Sequence, residues 1–287
     1  MRRFIALVLP VALVLLPAVP ARAEVTAEFA LGVLTVTGDA VGDSIAVGCA
    51  GGEVRVNGSA PSGGPVACGA VETILVRAGG GNDRVVLTGI ARGSFPDLAA
   101  IGAFGEGGDD ALIGSVLGDR LDGGTGADEL RGGDGADKLV PGGGGDTVIG
   151  GEGKDRVVIS GDGDWTINDE RVVQLAPVSD GIALQGVELA SLTGGPADNT
   201  VAASAFSGSV VLDGGAGDDI LQSGRGADEL FGRAGNDWLD SGAGNDLLEG
   251  KEGGDVLRGG EGNDELRGGP GDDTCTGGPG NDSELSC

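Results

Sequence analysis

The chain has 287 residues, of which 45 are acidic and 18 basic, giving a formal net charge of −27. Charge of that sign and size excludes nucleic acid and anionic membrane as generic electrostatic partners. There is no His and no Tyr, so the usual general base and the Ser-His-Asp relay are excluded as chemistry.

Residues 1–23 read as a secretory signal peptide. Arg2 and Arg3 form a positive start, an apolar run extends from Phe4 to Val19, and Ala21-Arg22-Ala23 is a small-x-small cleavage site before Glu24. The alternative is a membrane anchor. The run is short for a bilayer span and is broken by Pro10 and Pro17, which favours the signal and a secreted, extracellular destination. Cleavage removes three of the 18 basic residues and leaves 15 against 45 acidic, a net charge near −30. Without counter-ions such a chain is swollen and poorly folded.

Residues 24–77 hold short alternating runs, Val33-Leu34-Thr35-Val36, Ser44-Ile45-Ala46-Val47, Glu53-Val54-Arg55-Val56 and Thr73-Ile74-Leu75-Val76. They read as strands between Gly-rich turns. We expect an N-terminal β cap here. Cys49 and Cys68 flank a short loop, as Cys275 and Cys287 do near the other end. Export permits disulfides. Among the three connectivities that four cysteines allow, the local pairs Cys49–Cys68 and Cys275–Cys287 are favoured; the alternative is buried free thiols.

A nine-residue phrase first appears at Ala78 (AGGGNDRVV), with Asp83 at its sixth position. Residues 87–104 match poorly but span two phrases' length, which predicts one more coil with a longer loop around Phe95-Pro96. Six copies follow from Gly105 to Val158, with Asp110, Asp119, Asp128, Asp137, Asp146 and Asp155 at position 6 and Leu112, Leu121, Leu130, Leu139, Val148 and Val157 at position 8. One copy, GSVLGDRLD, has Leu117 in a Gly slot, which predicts a poorly binding turn. Gly42-Asp43-Ser44-Ile45 resembles a decayed copy of the same phrase.

Residues 159–213 interrupt the array with strand-like runs, and Asn199 stands where an Asp is expected. Two readings are open, a β-structured joint between two rolls or one solenoid continuing without metal; continuation is preferred. Residues 214–287 then carry eight copies in unbroken register. Position 4 is Gly throughout. Position 6 is Asp219, Asp228, Asp237, Asp246, Asp255, Asp264, Asp273 and Asp282. Position 8 is Leu from Leu221 to Leu266, then Cys275 and Glu284.

A short fixed period means units that cover their neighbours. The Gly-rich half of the phrase suits a tight turn. The x-Leu-x half is one strand alternation with one side chain in and two out. Two phrases therefore make one coil of a flattened solenoid with two parallel sheets. Position-6 carboxylates 18 residues apart stack about 4.8 Å apart along the two edges. Like charges at about 5 Å repel by roughly 1 kcal/mol in water and 3–4 kcal/mol at an effective dielectric of 20. One buried Leu per phrase contributes about 1.5–3 kcal/mol, too little to order nine residues and absorb that repulsion as well. A hard divalent cation with oxygen ligands would turn the repulsion into attraction. On the outer faces the period stacks Arg120, Lys138 and Arg156 in one ladder. It stacks Ile220, Trp238 and Val256 in another, a candidate contact patch.

The phrase GGxGxDxLx resembles the nonapeptide of the RTX, or haemolysin-type calcium-binding, family, and the resemblance covers roughly half of the chain. It implies a right-handed parallel β-roll in which Ca²⁺ is enclosed by motif carboxylates and turn carbonyls of successive same-side turns. The residues so implicated are Asp83, the six of the first array and the eight of the second. The N-terminal signal departs from the many relatives that leave by an uncleaved C-terminal signal. RTX enzymes carry a separate catalytic domain, and the two non-repeat stretches here, about 55 residues each, are small for one. The expectation is an exported calcium-binding repeat protein with a structural, adhesive or surface-associated role and no enzymatic activity. The alternative is a calcium-dependent, carbohydrate-active enzyme with its site in a non-repeat stretch.

Overall fold

A computed structural model describes residues 24–176 and 181–287; the expected signal peptide lies outside them. Among the described residues there is no α-helix, only a 3-10 turn at Cys68–Ala70. Two sheets are present, one of thirteen strands (sheet I) and one of fourteen (sheet II). Through the repeats the chain alternates between them. In sheet II, Trp238–Asp240 pairs in parallel with Ile220–Gln222 before it and Val256–Arg258 after it, each 18 residues away. In sheet I, Leu247–Glu252 lies in the same way between Glu229–Ala234 and Glu265–Arg267. Nine residues thus make a turn and a strand, and eighteen make a coil.

The core is a single file of inward side chains between the sheets. Leu221, Leu230, Leu239, Leu248, Leu257 and Leu266 are fully buried, as are Leu112, Leu121, Leu130, Leu139, Val148 and Val157. Position 8 points in because strand side chains alternate. Glycines on either side of each short strand let the backbone turn back before a second inward residue is needed.

The core is thicker at the N-terminal end. Leu34, Val36, Ile45, Val54, Ile74 and Val76 pack there with Phe95, and Cys49 is joined to Cys68. Thr26–Ala30 pairs antiparallel with Val33–Thr37 on the edge of sheet I. Ser44–Ala50 pairs antiparallel with Glu53–Val56 on the edge of sheet II. Residues 87–104 supply one sheet-I strand, Ala100–Gly107, rather than a full coil. The surplus length is a loop that sends Ile90, Phe95 and Leu98 into the core, which a strand-turn phrase has no room to do.

The interruption is continuous with both arrays. Sheet I runs in parallel from Arg156–Ser160 through Leu189–Thr193 and Ser209–Ala216 to Glu229–Ala234. In sheet II an antiparallel hairpin, Asp164–Asn168 with Arg171–Ala176, is inserted between Ile182–Gln185 and Thr200–Ala205. Sheet II therefore gains two strands, roughly 10 Å of width, that sheet I lacks. Trp165, Ile167 and Val172 of the hairpin are buried. No helix among the described residues is long and apolar enough to cross a membrane.

Candidate metal ladders

Each repeat turn ends in its position-6 Asp, one residue before the strand enters the sheet. That placement puts Asp83, Asp110, Asp128 and Asp146, then Asp219, Asp237, Asp255 and Asp273, on the edge leading into sheet II. Asp119, Asp137 and Asp155, then Asp228, Asp246, Asp264 and Asp282, lie on the edge leading into sheet I. All fifteen candidates fall on these two edges. One residue of the ladder carried no full nonapeptide in the sequence. Asp43 stacks under Asp83 at a sequence separation of 40, and its N–H donates to Asp83 Oδ1 at 2.6 Å. The decayed phrase around Gly42-Asp43 was the signal for it.

One hydrogen bond repeats along both edges. Within each array the N–H of an Asp donates to Oδ1 of the Asp one coil later: Asp110 to Asp128 at 2.8 Å, Asp137 to Asp155 at 2.9 Å, Asp237 to Asp255 at 2.9 Å, Asp246 to Asp264 at 3.0 Å. Oδ1 is therefore satisfied. Oδ2 is not. In Asp83, Asp110, Asp128, Asp137, Asp146, Asp155, Asp219, Asp228, Asp237, Asp246, Asp255, Asp264 and Asp273 it is buried with no hydrogen-bond partner. A buried, unpaired carboxylate oxygen is among the costliest groups a fold can hold.

The backbone beside these oxygens is acceptor-rich. A Cβ built on Gly253 would collide with the carbonyl oxygen of Gly235, and one on Gly262 with that of Gly244. Position-4 carbonyls therefore point along the stack at the next turn. Gly253 holds φ at +138°, a conformation open to Gly at little cost. Among the described residues no three Cys, Asp or Glu side chains converge on a common point. An ion on either edge must draw the rest of its ligands from backbone oxygens, which suits calcium far better than a metal that selects nitrogen or sulfur.

Electrostatics agree with the geometry. Burial pushes Asp237 up to about 7 from an ordinary 3.8. Its bond from the Asp219 N–H opposes the rise, and the stacked charges of Asp219 and Asp255 add to it. Asp137 is raised to about 7 in the same way, with Asp119 and Asp155 as its neighbours. Asp83, Asp128, Asp219 and Asp246 are raised to about 6, in each case chiefly by burial. These carboxylates resist ionisation unless a positive charge comes between them.

The ladder breaks in the interruption. Asp155 donates instead to Glu188 Oε2 at 2.9 Å, and Asn199 takes an Asp position, donating its N–H to Asp219 Oδ1 at 2.7 Å. On the outer faces the expected stacks are in register, Arg120 with Lys138 and Arg156, and Ile220 with Trp238 and Val256. Arg120 is paired with Asp122 at 2.6 Å. The Arg258 guanidinium lies 5.5 Å from the Trp238 ring centre, and Ile220 is exposed. Cys275 is bonded to Cys287.

No curated protein matches the chain. Residues 113–148, 213–248 and 249–284 each match a family model described as RTX calcium-binding nonapeptide repeat (4 copies). These segments lie within the stretches where the Asp ladders, buried Leu file and positive-φ glycines recur, and such repeats bind Ca²⁺: the chain is a carrier of RTX calcium-binding nonapeptide repeats, folded as an all-β roll of parallel strands.

Proposed function

We propose that this chain is exported and acquires its full β-roll on meeting extracellular calcium, with a structural, adhesive or surface-associated role. The observation that carries the reading is the row of buried, unpartnered Asp Oδ2 atoms. No protein donor satisfies them, and a Ca²⁺ between stacked turns would. The ligands are the position-6 aspartates whose Oδ2 is buried and unpartnered, with turn carbonyls completing the shell. Low cytosolic calcium keeps the chain open for export, and millimolar calcium outside closes it.

Export is supported by the two disulfides and by the leader-like residues 1–23. The N–H of Glu24 donates to Asp39 Oδ2 at 3.0 Å. Cleavage after Ala23 would turn that nitrogen into an ammonium facing a carboxylate. Residues 24–77 serve as a cap whose antiparallel strands blunt the sheet edges. The repeats at 78–158 and 214–287 flank the segment 159–213 as one solenoid.

A catalytic role is not part of this reading. The acidic residues of the interruption have structural tasks: Asp162 accepts from Ala197 N–H at 3.3 Å, Asp164 from Thr200 N–H at 2.8 Å, and Glu188 from Asp155 N–H. The test is a calcium titration of residues 24–287 by far-ultraviolet circular dichroism with calorimetry. A cooperative gain of β-signal at roughly 0.1–1 mM calcium, with several ions bound, is the expected result. The same β-signal in chelator as in calcium would sink the proposal.

A further inference from the structure

Three turns depart from the rest in a shared way. They span residues 38–43, 114–119 and 194–199. In turns 250–255 and 259–264 the position-2 N–H donates to the position-1 carbonyl of the next coil, Lys251 to Gly268 at 2.8 Å and Gly260 to Gly277 at 2.7 Å; in 223–228 and 241–246 a position-1 Ser hydroxyl donates to that carbonyl, Ser223 to Ser241 at 2.9 Å and Ser241 to Gly259 at 2.6 Å. In the three exceptions the position-2 N–H donates to the turn's own position-6 side chain. Asp39 N–H reaches Asp43 Oδ2 at 2.9 Å, Ser115 N–H reaches Asp119 Oδ2 at 2.6 Å, and Gly195 N–H reaches Asn199 Oδ1 at 2.8 Å.

The position-4 N–H is diverted too. Regular turns send it to the position-3 carbonyl of the next coil, as Gly253 does to Pro270 at 3.1 Å. Val41 instead donates to Asp39 Oδ1 at 2.8 Å, Leu117 to Ser115 Oγ at 3.0 Å, and Ala197 to Asp162 Oδ1 at 3.3 Å. The exceptions also share their composition. Position 4 is Val41, Leu117 or Ala197 where the regular turns have Gly, and none of the three adopts positive φ. The peptide after position 4 is turned as a result. A Cβ on Gly135 would meet the Leu117 carbonyl carbon first, at 2.6 Å, and one on Gly217 the Ala197 carbonyl carbon, also at 2.6 Å. On a regular turn the carbonyl oxygen is met first.

We infer that these three turns bind no calcium, and that they divide the solenoid into two separately loaded calcium stacks. The inference rests on the calcium reading above. A cation at such a turn would have to displace an N–H from the position-6 side-chain oxygen that faces the turn; only Asp43 keeps a second oxygen, Oδ1, buried without a partner. It would also have to force a side-chain-bearing residue into positive φ to bring the position-4 carbonyl round. Turn 38–43 lies at the start of the edge leading into sheet II, and turn 114–119 at the start of the edge leading into sheet I. Turn 194–199 lies at the head of the second array. Apart from turn 114–119, regular turns run from 78–83 to 150–155 and again from 214–219 to 277–282. The device is a hydrogen-bonded first layer on which a metal-held stack is built.

The test counts calcium bound per chain, by calorimetry and equilibrium dialysis, on residues 24–287. Asp119→Asn should leave the count unchanged, because Asn199 shows that an amide oxygen accepts the same N–H. Asp237→Asn should lower the count. The double substitution Ala197→Gly with Asn199→Asp gives turn 194–199 the sequence of turn 268–273, Gly-Gly-Pro-Gly-Asp-Asp, and should add one ion per chain. A lower count in Asp119→Asn, or no added ion in a folded double variant, overturns the inference and leaves the calcium reading standing. A wild-type chain that binds no calcium overturns both.

Discussion

The backbone N–H of Asp219 donates to Oδ1 of Asp237 at 2.9 Å, while Oδ2 of Asp237 is buried with no partner. One carboxylate thus plays two parts. Its first oxygen is part of the ladder that joins coil to coil, and its second, on the proposed reading, is a calcium ligand.

Asp237→Asn separates these parts. The amide oxygen keeps the bond from Asp219, and the amide nitrogen removes the anionic ligand. The calcium midpoint should rise by about tenfold or more, while the metal-free chain becomes more stable because the repulsion from Asp219 and Asp255 is gone. Paired circular dichroism melts in calcium and in chelator check this. A variant destabilised equally in both would show that the carboxylate is only structural.

Folding without metal should depend on pH. The folded-state values of the ladder aspartates are raised, to about 6 for Asp219 and about 7 for Asp137 and Asp237. Between pH 4 and 7 the folded chain then holds more protons than the unfolded one, so stability falls as pH rises. In chelator the β-signal should be strongest near pH 4 and lost towards pH 8. At pH 6.5 calcium should release protons on binding, read as a calorimetric heat that depends on the buffer's ionisation enthalpy. Greater metal-free stability at pH 8 than at pH 5 would contradict this.

Gly253→Ala should be disruptive although it adds one methyl group. Its φ is +138°, and the new Cβ would collide with the Gly235 carbonyl oxygen. Strain of about 1–3 kcal/mol adds to displacement of a carbonyl that points at the ion. The loss should be local, because each coil contacts only its neighbours. Hydrogen exchange should rise around residues 235–271 and stay unchanged at the N-terminal end.

Removing the second disulfide by Cys275→Ala with Cys287→Ala should loosen the last coil. The bridge closes a loop with sequence separation 12, for which chain entropy gives roughly 3 kcal/mol. Amides at Thr274–Thr276 and Ser283–Leu285 should lose protection, and calcium binding at Asp219 and Asp237 should persist. Unchanged protection would mean that the terminal calcium sites alone hold that end.

Periodicity made most of this fold legible. A nine-residue repeat with one Leu and one Asp can bury the Leu and stack the Asp in only one simple way, so the sheets, coil length and both carboxylate edges followed from residue order. The two cysteine pairs followed from their closeness in the chain. What the sequence left open was decided by contacts between segments far apart in it. Asp43 joins the ladder because the intervening residues, 44–82, fold away and return it beneath Asp83. Residues 87–104 become one strand and a plug because Phe95 finds the core. The interruption continues the solenoid because the hairpin Asp164–Ala176 fits into sheet II while sheet I passes it unbroken. Whether a given Asp is free to bind is decided by where one N–H points. Leu117 in a Gly slot already marked the turn of Asp119 as irregular beside that of Asp137, but only the structure places the Ser115 N–H on the oxygen of the first and leaves that of the second unoccupied. A repeat pattern specifies position along the coil; only the packed turn determines which hydrogen bonds are already made.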